Sequence, residues 1–140
     1  MKVLILALTL IGLAGCSSTV TPPSQAKLAP SERLFKFQDP TKEKASLTII
    51  RDRGFGGAGC FASVYIDGEV AAKLDPGEKA TFYVKTGESV VGAGLEGRGL
   101  CGASGERQER YISLRPEEHK YLRVFTSADG DMDIRPTTLN

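Results

Sequence analysis

The chain has 140 residues, with 18 Lys and Arg against 17 Asp and Glu and a single His, so it is close to electroneutral. That balance excludes the basic footprint of a nucleic-acid binder or of a patch that grips anionic lipid, and the length suits one domain with a modest core rather than two. Trp is absent and Gly reaches 16 residues, which favours turns, bulges and short strands over long helices.

In chain order, Met1-Lys2 precedes an apolar run from Val3 to Leu10, then Ile11-Gly12, and small Ala14 and Gly15 lead to Cys16. One cation, an apolar stretch of about ten residues and small residues before a cut make a signal-peptide pattern too short to cross a bilayer as a helix. Leu13-Ala14-Gly15-Cys16 resembles the lipobox of bacterial lipoproteins. The resemblance implies removal of residues 1–15, a diacylglycerol thioether on Cys16 and acylation of its new amino group. Ser17 in place of Asp implies sorting to the outer membrane, on its periplasmic face. An ordinary secretory leader with an incidental cysteine is the alternative. Two or three acyl chains, at roughly 0.8 kcal/mol per buried CH₂, hold a protein to a membrane where one chain is marginal.

Residues 16–30 then read as the lipidated cysteine followed by a Ser, Thr, Pro and Gln tether with little to bury. Residues 31–44 differ. Leu34, Phe35 and Phe37 are apolar, Ser31 is a fitting cap, and Asp39-Pro40 breaks the segment, so it is expected to dock as a short helix or strand.

From Ala45 to the end the period is two. Leu47–Arg51, Phe61–Ile66, Val70–Leu74, Ala80–Lys85, Ser89–Ala93, Arg110–Leu114, Tyr121–Thr126 and Met132–Arg135 read as strands. Asp67-Gly68, Asp75-Pro76-Gly77, Thr86-Gly87 and Asp129-Gly130 are the turns between them. The fold expected for 45–140 is all-β, an antiparallel β-sandwich of about seven or eight short strands. With Cys16 lipidated, Cys60 and Cys101 remain, and a compartment beyond the cytoplasmic membrane oxidises thiols, so the pair is expected to form one disulfide.

Candidate sites are few. Gly54–Gly59 and Gly92–Gly97 both match G-x-G-x-x-G, but neither leads into a helix whose amides could bind a pyrophosphate. No nucleotide is expected; the glycines read instead as two loops packing around the disulfide. His119, the single histidine, follows a Pro116-Glu117-Glu118 turn and reads as a surface residue rather than a general base. Asp129, Asp131 and Asp133 imitate the start of a calcium loop, yet Ile134 stands where Gly is required, so no metal or other cofactor is expected. Alternating acids there fit a guarded edge strand better.

The string Val64-Tyr65-Ile66-Asp67-Gly68 to Leu74, followed by Pro76-Gly77-Glu78 and by Tyr83 to Glu88, resembles small bacterial lipoproteins of a domain-of-unknown-function family. It is also similar in architecture to PEGA-type β-sandwich modules. Neither resemblance implies catalytic residues.

Alternation places Ala62, Val64, Ile66, Ala80, Phe82, Val84, Ile112, Leu114, Leu122 and Val124 on an inner face. Phe61, Tyr65, Tyr83, Tyr111, Tyr121 and Phe125, interleaved with Lys79, Lys85 and Arg123, fall on the opposite one. That aromatic face is a candidate binding surface, or else the surface that residues 31–44 cover. The function expected is non-enzymatic: a periplasmic lipoprotein of the outer membrane that binds or scaffolds an envelope protein, without nucleic acid. The alternative is an inhibitor of a cell-wall hydrolase such as lysozyme, acting through a glycine loop. If Cys16 is the lipid acceptor, Cys16→Ser abolishes palmitate labelling and leaves a precursor or a soluble product; lipid labelling equal to wild type would refute the assignment.

Overall fold

A computed structural model describes residues 18–43, 45–54, 58–102 and 105–139. The leader 1–15 and Cys16 lie outside them. Nine strands form two sheets: β1 (Lys27–Leu28), β2 (Ala45–Arg51), β3 (Ala62–Ile66), β4 (Glu69–Leu74), β5 (Glu78–Val84), β6 (Gly87–Leu95), β7 (Gln108–Leu114), β8 (His119–Thr126) and β9 (Met132–Thr137). One sheet has the order β1-β5-β2-β8-β9, the other β4-β3-β6-β7. The fold is the expected β-sandwich with its disulfide between Cys60 and Cys101, and the hairpin turns hold. Asp67 and Gly68 both take positive φ, 48° and 80°, as the turn that matches strand twist requires. Gly77 at φ 81° closes the Asp75-Pro76-Gly77-Glu78 turn, with Glu78 N–H donating to Asp75 O at 3.1 Å.

The core is what alternation predicts. All ten inner-face residues are buried in one apolar cluster, joined by Leu47 and Ile49 of β2 and Ile134 of β9. Two pairings are not antiparallel: β2 with β8 and β1 with β5. The cause is the crossing of the chain between sheets. β7 ends in the other sheet at Leu114, and the 115–118 turn delivers β8 to the end where β2 also begins.

The described part of the expected tether is not free. Thr19 and Arg53 exchange backbone hydrogen bonds of 2.6 and 3.1 Å, and Ser18 N–H donates to Thr126 O at 3.3 Å. Buried Thr21 donates its N–H to Asp52 Oδ1 at 2.9 Å, and Lys79 Nζ donates to Pro23 O at 2.6 Å. Between these two anchors lies Ile50, fully buried on the outer face of the five-stranded sheet. The large apolar side chains of the segment, Val20 and Leu28, stay exposed, and it docks because its backbone finds partners and its small residues, Ala26 and Ala29, are buried.

Residues 31–37 run along strand edges rather than across the outer face. A bulge between β3 and β4 leaves Ala71 out of register, and its carbonyl accepts from Phe35 N–H at 2.8 Å. Leu34 bridges Ala72 of β4, and Tyr83 N–H of β5 donates to Phe37 O at 2.8 Å. Arg33 clamps this seam. Its guanidinium donates to both oxygens of Glu78 at 2.7 Å and to Lys73 O at 3.0 Å, so it joins β5 to β4. Burial alone would raise the Glu78 pKa, but hydrogen bonds from Arg33 and from Asp75 N–H hold it below the usual carboxylate range.

The disulfide closes a separation of 41 residues. In the chain-entropy account that loop lowers the stability of the unfolded state by roughly 4 kcal/mol. The mature protein should show no free thiol at Cys60 or Cys101, and reduction should lower its melting temperature by about 15 °C. Two titratable thiols in the native protein would overturn this.

Candidate functional site

The six aromatic residues expected on one face divide between two. Tyr83, Tyr121 and Phe125, with Arg123, lie on the outer face of the five-stranded sheet; Tyr65 and Tyr111 belong to the other sheet, and Phe61 immediately precedes its strand β3. Alternation along a strand tells inside from outside but not which sheet the strand joins. Tyr65 is only 4% exposed, because Arg107 stacks 4.4 Å from its ring centroid. Phe61 sits under Arg33 at 4.8 Å, and Tyr111 is left exposed.

The glycine-rich run at 92–97 proves to be largely strand, since Gly92–Leu95 belongs to β6 rather than to a loop. A Cβ on Gly94 would come 3.0 Å from Arg107 Cβ, so the missing side chain leaves the room Arg107 needs to cover Tyr65. Gly97 does pack at the crosslink, where a Cβ would meet Cys101 Cβ at 2.8 Å. Half of the first run, Gly54–Gly59, falls outside the described residues, at 55–57.

The five-stranded sheet carries the richer arrangement. Arg123 and Arg135 bring their guanidinium carbons to 5.5 and 5.4 Å from the Phe125 ring centroid. Cross-strand register sets this, with Arg123 opposite Arg135 and Phe125 opposite Asp133. Both cations have acids. Arg123 pairs with Asp52, which also holds Thr21 N–H. Arg135 and, from β7, Arg110 contact Asp133 at 2.9 and 2.8 Å. The other cations expected there are engaged too: Lys79 binds Pro23 O, and Lys85 lies 3.9 Å from Asp67. The result is a ring flanked by two planar guanidinium groups whose charge is largely neutralised, a surface suited to burying flat or apolar groups without a large desolvation penalty.

At the opposite end of the same face, His119 meets Tyr121 edge-on with ring centroids 4.7 Å apart. The parallel β2–β8 register puts Ser46 opposite His119, and Ser46 Oγ lies 2.7 Å from Nδ1. A cleft of about 550 Å³ opens here between His119, Lys120, Tyr121, Pro136, Thr137 and Thr138. No sequence motif joins Ser46 to His119, because the two residues are 73 positions apart and meet only through a parallel pairing. A serine–histidine contact is half of a nucleophilic site; the other half is a pair of free amides for an oxyanion. Ser46 is the second residue of β2, its N–H already donates to Glu118 O at 3.0 Å, and β2 is hydrogen-bonded to neighbours on both sides. Among the described residues, β2 therefore offers no free amide pair beside that hydroxyl.

The acids of the 129–133 segment do not converge either. Asp133 is engaged by arginines, and among the described residues no group of three His, Cys, Asp or Glu side chains is placed to hold a metal ion. No family model matches the chain, and no curated protein or solved structure matches it.

Asp133 gives the site a pH signature. Burial would raise its pKa, but Arg110, Ile134 N–H and Arg135 together hold it below 3.8. A depressed carboxylate stabilises the fold above its unfolded value and loses that contribution as pH falls through the folded one. Below pH 3.8 the wild type should therefore lose stability that Asp133→Asn never had. At neutral pH that substitution should cost on the order of 2 kcal/mol, read from urea midpoints across pH 2 to 7. Parallel profiles for the two proteins would sink the assignment.

Proposed function

We propose that the protein is a non-enzymatic lipoprotein on the periplasmic face of the outer membrane, held by Cys16, that binds an envelope protein through the outer face of its five-stranded sheet. The observation that carries the binding reading is the Phe125 ring with the guanidinium groups of both Arg123 and Arg135 against it, continuous along β8 with Tyr121 and His119. Rigid rings and planar guanidinium groups bury much area at small entropic cost, and they dominate protein interfaces. The disulfide supports an oxidising compartment. The lipobox-like Leu13–Cys16 and the Val64–Leu74 hairpin, with their resemblance to small envelope lipoproteins, support the address.

The inhibitor reading has less behind it. A cleft-inserting loop was expected from the glycine runs, and one of them is strand β6 over Gly92–Leu95.

The test is crosslinking and pull-down of the intact lipidated protein from detergent-solubilised envelope, comparing wild type with Tyr121→Ala and Arg135→Ala. Loss of the crosslinked partner, with melting temperatures within about 5 °C of wild type, is the expected outcome. The same partner recovered equally by wild type and both variants would overturn the binding face. A muramidase as the partner would replace scaffolding by inhibition.

A further inference from the structure

We infer that the disulfide end of the sandwich rests on the bilayer, with Leu100 at the tip of the stapled loop entering the lipid interface as a second, non-covalent membrane contact. This rests on the lipid-anchored reading of Cys16. The first observation is the position of Ser18. Its N–H is bonded to Thr126 O, and the adjacent Thr19 pairs with Arg53, so the chain leaves the domain where β8 and β2 end. Cys16 is two residue steps before Ser18, and two extended steps reach at most about 7 Å. The acyl chains therefore begin within that distance of this end, and the domain has no stalk on which to stand away from the membrane.

The second observation is what this end presents. Leu100 is 91% exposed, the highest value among the exposed large hydrophobic residues described, and Val20, next to the anchor side, is 41% exposed. Leu100 lies in a single 3-10 turn, Gly99–Cys101, and Cys101 is bonded to Cys60. Cys60 O in turn accepts from the buried Arg51 guanidinium at 2.6 Å. Gly97 packs so closely on Cys101 that a Cβ there would overlap it. The loop is thus stapled at its base, and Leu100 is held outward instead of folding onto the core.

Charge decides the kind of lipid contact. Exposed Arg53, Arg98 and Arg107 at this end are accompanied by exposed Glu96, Glu106, Asp129 and Asp131, and Arg107 is already paired with Glu109. Acids slightly outnumber bases, so attraction to anionic headgroups does not drive the contact; apolar insertion does, and zwitterionic lipid suffices. The face with Tyr121 and Phe125 then stands on the flank of the upright sandwich, and the His119 cleft points away from the membrane.

Trp is absent from the chain, so one introduced Trp is a clean reporter. The lipidated proteins carrying Leu100→Trp or, at the opposite end, Thr86→Trp are reconstituted into phosphatidylcholine vesicles with and without brominated acyl chains. On vesicles that float with the protein, Leu100→Trp should show blue-shifted emission and lose most of it to the brominated lipid, while Thr86→Trp keeps water-exposed emission. Floating protein in which Leu100→Trp stays water-exposed, or in which both positions are quenched alike, overturns the inference and leaves the anchor intact. Protein that carries no lipid mass on Cys16 and does not float removes the reading itself, and this inference with it.

Discussion

Two sheet edges lie side by side along one flank of this sandwich, β4 and β5, and the structure depends on their closure. An open edge exposes unpaired N–H and C=O groups that invite other chains. Here residues 26–37 close it: Lys27 and Leu28 pair with β5, Ala29 N–H donates to Lys79 O, and Phe35 reaches Ala71 on β4. Arg33 ties both edges through Glu78 and Lys73 O. The tie continues inward. Glu78 also accepts from Asp75 N–H, shaping the turn whose Gly77 N–H donates to Arg51 O. Arg51, buried between the sheets, spans Leu74 O and Cys60 O at 2.6 Å. Burial lowers the pKa of its guanidinium to about 10, and Asp75 and Glu78 oppose that shift. One polar path therefore runs from the docked segment to the disulfide, and each member is satisfied by the next.

Much of the sandwich was legible because half-buried strands announce themselves by alternation. All eight strands read from residue 45 onward exist, with boundaries moved by a few residues. What alternation could not reveal is partnership. The split of Tyr65 and Tyr111 from Tyr121 and Phe125, and the meeting of Ser46 with His119, both follow from which strands share a sheet. Residues 18–30 were misread for a different reason. Their composition offers little apolar area, but docking here uses backbone hydrogen bonds and small buried residues, for which composition carries no signal. Arg51 was equally hidden, since it occupies an inward position of β2 that alternation assigns to an apolar residue.

The two outer faces differ in how their rings are held. On the four-stranded sheet Arg107 covers Tyr65, and the ring becomes part of the packing. On the five-stranded sheet the guanidinium groups beside Phe125 are themselves fixed by Asp52 and Asp133, and the ring stays half-buried without loose charge around it. Pre-set side chains lose little freedom when a partner arrives. The same acids reach beyond the face: Asp52 holds the N-terminal segment through Thr21, and Asp133 joins β9 to β7 through Arg110. Surface chemistry and sheet closure are in this sense one set of contacts.

The wide sequence spacing of the pairings sets the order in which the chain can become a protein. β1 finds its partner at Glu78 and Lys79, and β2 is flanked on one side only until His119 to Val124 arrive. A chain threading out amino terminus first thus carries its earliest segments unpaired until Glu78 to Val84 emerge, and leaves one edge of β2 bare until β8 follows. Pairings of such separation form late and slowly, because loop closure must precede them. Through that interval the bare edge of β2, rich in Leu47, Ile49 and Ile50, is the stretch most in need of shielding, and a holding factor in transit would find its grip there.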